Sequence, residues 1–161
     1  MRVLGIDPGG RRTGWGVVQL EGTRLRYIGA GTVAVPEKLP LPKRLQIIHQ
    51  ALGQVVREHQ PGAVAVEEIF FAKYANAALK LGHARGVALL VAAESELEVH
   101  EYPPAIVKRT VVGRGAADKV QVGRLVTALL GLKTPPEEDA ADALAVAITH
   151  IQASRSSAIG R

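Results

Sequence analysis

The order of apolar segments predicts an α/β fold, a five-stranded mixed sheet flanked by helices. Three observations carry that expectation. Three strand-like runs precede any helix, strand and helix then alternate twice, and the last third of the chain reads as helical. At 161 residues the chain suits one compact domain, and 47% apolar residues supply ample core, which argues against intrinsic disorder.

The elements follow in order. Val3–Ile6 is a short apolar run that stops at Asp7-Pro8-Gly9-Gly10, a strand entering a turn. Trp15–Leu20 and Leu25–Val35 flank Glu21-Gly22-Thr23 and read as a hairpin continuing from it. Leu41, Leu45, Ile48, Leu52 and Val55 recur at helical spacing, so Leu41–His59 is an amphipathic helix ended by Pro61-Gly62. Ala63–Val66 is an unbroken apolar run, the pattern of a strand buried on both faces. Asn76–Glu94 is helical and rich in small residues, and Leu97–Tyr102 is a last strand closed by Pro103-Pro104. Helices are expected over Ala105–Val112, Asp118–Leu130 and Glu138–His150. Gly113-Arg114-Gly115 forms a basic loop, and Thr134-Pro135-Pro136-Glu137 reads as an N-cap with a capping box. The domain is placed at residues 1–152, with 153–161 as a mobile tail lacking periodicity.

Composition narrows the chemistry. Twenty Lys and Arg against fifteen Asp and Glu leave a net charge of +5, a mild pointer to an anionic partner. The absence of cysteine excludes a disulfide framework, a thiolate nucleophile and a Cys-based zinc site. The N-terminus turns to Pro and Gly too soon for a signal peptide, and the longest apolar stretch, Val87–Ala93, is far short of the roughly 20 residues that span a bilayer. A soluble intracellular domain is the expectation. None of the five histidines forms a metal-spacing pair; His49, His59, His100 and His150 read as solvated or locally satisfied, and His83 as packing.

The informative residues are carboxylates where apolar strands end. Asp7 and Glu67 each close a strand, and strands side by side would bring both to one sheet edge, where open α/β folds place ligands. Asp139 and Asp142, three apart, share a face of the last helix. Any one of them alone has an ordinary explanation, as a turn residue or a helix-dipole partner. Together they read otherwise, because Asp142 lies among Ala140, Ala141, Ala143 and Leu144, where an unpaired charge is costly. Converging carboxylates call for a hard divalent cation, Mg²⁺ or Mn²⁺, and such clusters hold two ions for phosphoryl displacement. Glu68 competes with Glu67, since alternation cannot separate them on a doubly buried strand. Composition and spacing thus reach Mg²⁺-dependent phosphoryl transfer on nucleic acid.

Phe70, Phe71 and Tyr74 crowd behind Glu67, and an aromatic face presented to nucleic acid could stack on an unpaired base for about 1–3 kcal/mol; for Phe71 a core position is the simpler reading. Lys108, Arg109, Arg114, Lys119 and Arg124 surround the Gly-rich loop, where close backbone approach to phosphate is possible. Lys73 and Lys80 flank Tyr74 and Asn76 as further strand contacts.

The strings GIDPG, TGWGV, AVEEIFFAKYANAALKLGHARGVAL, VKRTVVGRGAADKVQV and DAADALAVAITH, in this order, resemble the RuvC family of crossover-junction endonucleases. The resemblance covers nearly the whole chain and implies an RNase H-like fold. It implies a homodimer that resolves four-way (Holliday) DNA junctions by paired symmetric nicks in recombination and repair. Two Mg²⁺ per site, with Mn²⁺ as substitute, would act there and leave ligatable 5′-phosphate ends. It further implies a bacterial cytoplasmic setting and a branch-migration complex of RuvA and RuvB proteins as partner. Carried over by position, Asp7, Glu67, Asp139 and Asp142 are the catalytic and metal-holding acids, with Glu67 preferred over Glu68 and Asp139 over Glu138. Lys119 joins the catalytic set; Phe70, Lys73, Lys80, Lys108, Arg114 and Lys119 are the expected DNA contacts, Phe70 as a wedge at the crossover. Three other readings compete: an RNase H-like nuclease on ribosomal RNA precursors, an actin-like nucleotide-binding module, and a catalytically silent junction binder. The second needs a further phosphate loop and lobe, for which there is little room, and the last is at odds with four intact acids.

Overall fold

A computed structural model describes residues 1–68, 75–113 and 118–159, with side chains through Ser156. Phe70, Lys73 and Arg114 lie outside the described residues. Strands β1 (Arg2–Asp7), β2 (Arg12–Glu21), β3 (Arg24–Ala34), β4 (Ala63–Glu67) and β5 (Glu98–Tyr102) form one sheet in the order β3-β2-β1-β4-β5. The first three pair antiparallel through tight turns, with Gly22 at positive φ between β2 and β3. Strands β4 and β5 add in parallel, because each is reached through a helical crossover. The helices are α1 (Leu41–His59), α2 (Ala75–Glu94), α3 (Pro104–Val112), α4 (Lys119–Leu129) and α5 (Glu138–Ile159).

Period-2 alternation divides the core. Val3 and Ala65 pack with α3, α4 and α5 on one face, while Leu4, Ile6, Val64 and Val66 pack with α1 and α2 on the other. By the same parity Asp7 and Glu67 belong to the α5 face. Glycine sets how closely α5 approaches. A Cβ at Gly5 would lie 2.0 Å from the Ala143 carbonyl oxygen, and one at Gly14 would lie 1.9 Å from that of Asp139. Bare strand backbone therefore lets the Ala-rich start of α5 rest directly on β1 and β2.

The start of α5 is where the sequence reading has it, but its cap and its far end differ. It opens at Glu138, where the Glu137 carbonyl accepts the Ala141 N–H at 2.8 Å, and not from a Thr134 cap. Pro136 disfavours the helical region for Pro135, so a turn cannot start there. At the other end the helix continues through Ile159 in place of the non-periodic tail expected over 153–161. Ile151 is fully buried, and the Ser154 and Ser156 hydroxyls donate to the carbonyls four residues back. No helix among the described residues is long and apolar enough to cross a membrane.

Candidate active site

Asp7 is the last residue of β1, opposite Gly14 of β2, and Glu67 is the last of β4. Ile6 and Val66 are partners in the parallel register, so the two acids stand side by side one step beyond them. The first turn of α5 rests over Gly14 and delivers Asp142 to the same place. Asp7, Glu67 and Asp142 line one cavity of about 240 Å³ with Lys108 of α3 and Lys119 of α4. Glu68, next to Glu67, does not line it; its N–H donates to the Tyr102 carbonyl at 2.9 Å.

The cations are positioned by their own helix starts. Pro103-Pro104 opens α3 and orients Lys108, which lines the cavity with Pro104 and Val107. A full capping box between Asp118 and Gln121 fixes the start of α4, so Lys119 follows directly. Its Nζ reaches Glu138 Oε1 at 2.5 Å and Asp142 Oδ2 at 3.4 Å.

The electrostatics follow from three carboxylates facing two ammonium groups in a half-closed space. Burial pushes Asp7 up to about 7 from 3.8, with Asp142, Glu67 and Asp139 adding repulsion that Lys119 only partly offsets. Glu67 is raised by burial and Asp142, against Lys108 and Lys119. Asp142 is raised mainly by burial, with Lys119 opposing. Lys119 is held protonated, chiefly by its hydrogen bond to Glu138.

Asp139 is near this cluster but otherwise engaged. Arg12 Nε donates to its Oδ2 at 2.6 Å, and Arg12 Nη2 reaches Glu137 at 2.8 Å. Among the described residues no group of three His, Asp or Glu side chains is arranged, as it stands, to hold a metal ion. Lys119 and Arg12 supply the counter-charge. The sequence contains no signal for the Arg12 and Glu138 partnerships, which join residues far apart in the chain. The strand glycines at 5 and 14 were a signal, since glycine inside a strand marks close backbone approach.

Lys80 lies in a separate cleft with Gly10 and Arg44. Beneath the acids, Tyr102 pairs with Glu67 across β4 and β5, and its hydroxyl lies 2.8 Å from Nδ1 of His150. His150 is nearly fully buried and stacks on His100 at 4.0 Å, so local satisfaction is the right description of it and solvation is not. On α2 the outward face carries Leu79, Gly82, Gly86, Leu90 and Ala93, with Leu79 62% and Leu90 51% exposed. Val91, on the same helix, is 2% exposed and packs into the chain's own core.

The sequence model of the family described as "Crossover junction endodeoxyribonuclease RuvC" matches residues 3–150. Relatives carrying that same description include one from Sorangium cellulosum, 53% identical over 153 residues that cover 95% of this chain and 86% of the relative. Another, from Rhodopseudomonas palustris, is 53% identical over 164 residues, covering 99% of this chain and 94% of the relative. Among solved structures, Thermus thermophilus RuvC in complex with a Holliday junction substrate superposes with a TM-score of 0.92 at 38% identity, over 98% of this chain and 96% of that one.

Proposed function

Because the chain belongs to the RuvC family of crossover junction endodeoxyribonucleases, we propose that it cuts four-way DNA junctions by two symmetric nicks, in recombination and repair in a bacterial cytoplasm. The observation that carries this reading is the meeting of Asp7, Glu67 and Asp142 in one cavity with Lys108 and Lys119, on a fold matched almost end to end by a junction-bound relative.

The family is one of metal-dependent nucleases, and the donors in this cavity suit a hard cation. They are carboxylate oxygens without sulfur, and their burial and mutual repulsion leave the unprotonated set short of positive charge. Asp7, Glu67 and Asp142 would hold two Mg²⁺, or Mn²⁺ in substitution, with Asp139 joining them after release from Arg12. Bound there, the metal supplies a water made acidic enough to attack the phosphodiester and charge compensation for the departing 3′ oxygen. Lys119 has a second task, because an ammonium already beside the acids can turn to the phosphoryl oxygens as negative charge builds on them. Lys108, at the cavity wall, orients the scissile phosphate. Phe70, Lys73, Lys80 and Arg114 extend the DNA path, Phe70 as the wedge at the crossover.

Two opposed nicks need two sites at a fixed spacing, which a C₂ homodimer provides. The outward face of α2 supports that assembly: two exposed leucines flank glycines at whose Cβ positions there is open space, so a second helix can approach closely. RuvA and RuvB proteins, the branch-migration machinery, are the expected partners of that dimer.

The test is incubation with a synthetic four-way junction and a linear duplex, with and without Mg²⁺. Paired nicks in the junction alone, only with metal, are expected; cleavage of the duplex at the same rate would exclude the reading.

A further inference from the structure

A second cleft, of about 590 Å³, opens at the Gly9–Gly10 turn, between that turn and helices α1 and α2. Its polar lining is lopsided. Arg11, Arg12, Arg44 and Lys80 contribute four cations, against the single carboxylate of Glu37, which comes from the segment between β3 and α1. The groups are close together. Arg11 is paired with Glu37, and Arg44 Nη2 donates to the Gly10 carbonyl. The Lys80 Cβ is 3.7 Å from where a Gly10 Cβ would stand. The carboxyl of Glu37 is held below its ordinary value by its hydrogen bond from Arg11, with the charges of Arg44 and Lys80 adding to it.

Two features mark this as more than a solvated face. Arg44 Nε is buried without a hydrogen-bond partner among the described residues, so a strong donor at the cleft is left unused. The resident anion is also weakly held: the Arg11 and Glu37 side chains are 70% and 58% exposed, and an exposed pair of this kind is easily exchanged.

We propose that this cleft binds a backbone phosphate of the DNA strand, outside the acid cavity, and that Glu37 occupies the phosphate position until DNA arrives. The inference rests on the nuclease reading above and adds to it a positioning subsite made by Arg11, Arg44 and Lys80. Its location is set by the chain. Gly10 follows Asp7 by three residues, so the two Cα atoms are at most about 11 Å apart. The bound phosphate is therefore roughly one to three nucleotides from the scissile one. Arg12 spans the gap, lining the cleft while reaching Asp139. A strand seated here would be fixed in register over the acids.

Binding of a labelled four-way junction, followed by fluorescence anisotropy in EDTA across a potassium chloride series, tests the cleft. The Arg11→Gln/Arg44→Gln double variant is expected to bind more weakly and to lose about 0.9 from the magnitude of the log–log salt slope, the value of one phosphate contact. Glu37→Gln is expected to do the opposite and tighten binding several-fold, a sign that a merely structural role would not produce. If the double variant melts early, Arg11→Gln alone, at an exposed side chain, carries the comparison. A wild-type slope and affinity in the arginine variants, or weaker binding by Glu37→Gln, would overturn the proposal. Thermal stabilisation of the wild type by inorganic phosphate, lost in the double variant with an unchanged DNA slope, would assign the cleft to free phosphate and overturn it too. Wild-type protein that binds the junction and cuts it with Mg²⁺ keeps the nuclease reading intact whatever the variants do; wild type that does neither overturns both.

Discussion

Replacing Asp7 by Asn should stabilise the metal-free protein while abolishing cleavage. In the folded chain this carboxyl titrates near 7, against 3.8 for the free group, because it is buried and faces Asp142, Glu67 and Asp139. At 1.36 kcal/mol per pKa unit the penalty for keeping it ionised is about 4 kcal/mol. The amide escapes the charge penalty but keeps some cost of a buried polar group, so a gain of about 2–3 kcal/mol is expected near pH 8. For a chain of this length that is a rise of roughly 4–10 °C in Tm. The sign with pH follows from linkage. Between about pH 4 and 7 the folded wild type holds a proton that the unfolded chain releases, so its stability falls as pH rises through that window. The Asn variant lacks this dependence, and the gap between the two should open from about pH 4 and level off above 7. Thermal melts in EDTA at several pH values measure it. Added Mg²⁺ should raise the Tm of the wild type and leave the variant unmoved, with junction affinity close to normal in both. A gap that stays flat from about pH 5 to 8, or a variant no more stable than wild type at the upper end, would refute the account of Asp7 as the focus of buried repulsion.

Other outcomes follow from the same geometry. Lys119→Ala should slow cleavage of bound junction by about 10²-fold, as expected for loss of a donor to developing phosphoryl charge, and weaken binding less; single-turnover assays beside anisotropy separate the two, and a change confined to the salt slope would make Lys119 a phosphate anchor only. Gly14→Ala puts a methyl 1.9 Å from the Asp139 carbonyl and should cost about 1–3 kcal/mol, with loss of cleavage, as α5 is lifted from Asp7; unchanged melting and activity would show that α5 does not depend on this contact. Light scattering without DNA should give about twice the 17.1 kDa chain mass, and Leu90→Asp should return it to the monomer. A wild-type monomer, on and off the junction, would remove the basis for paired nicks.

The sequence by itself determined the element order, the strand-end positions of Asp7 and Glu67, and the pairing of Asp139 with Asp142 on one helix. These are local properties: periodicity, turn chemistry and i, i+3 spacing operate within a few residues of chain. It also carried the family resemblance, in strings that span most of the chain. Alternation could not choose between Glu67 and Glu68, because β4 is apolar on both faces; only the β1–β4 register, with Val66 beside Ile6, aligns Glu67 with Asp7. The extension of α5 through Ile159 was hidden because residues 152–157 carry no apolar periodicity to read. The inward turn of Val91, against the outward Leu79 and Leu90, likewise depends on which side of α2 meets the sheet. The countercharges were the least visible part. Arg12 meets Asp139 across 127 positions, where bare glycine backbone lets α5 settle onto β1 and β2, and Lys119 meets Glu138 across 19, where α4 packs on α5. Charge partners distant in sequence are set by how elements pack, and packing is decided by shape and burial summed over the whole core.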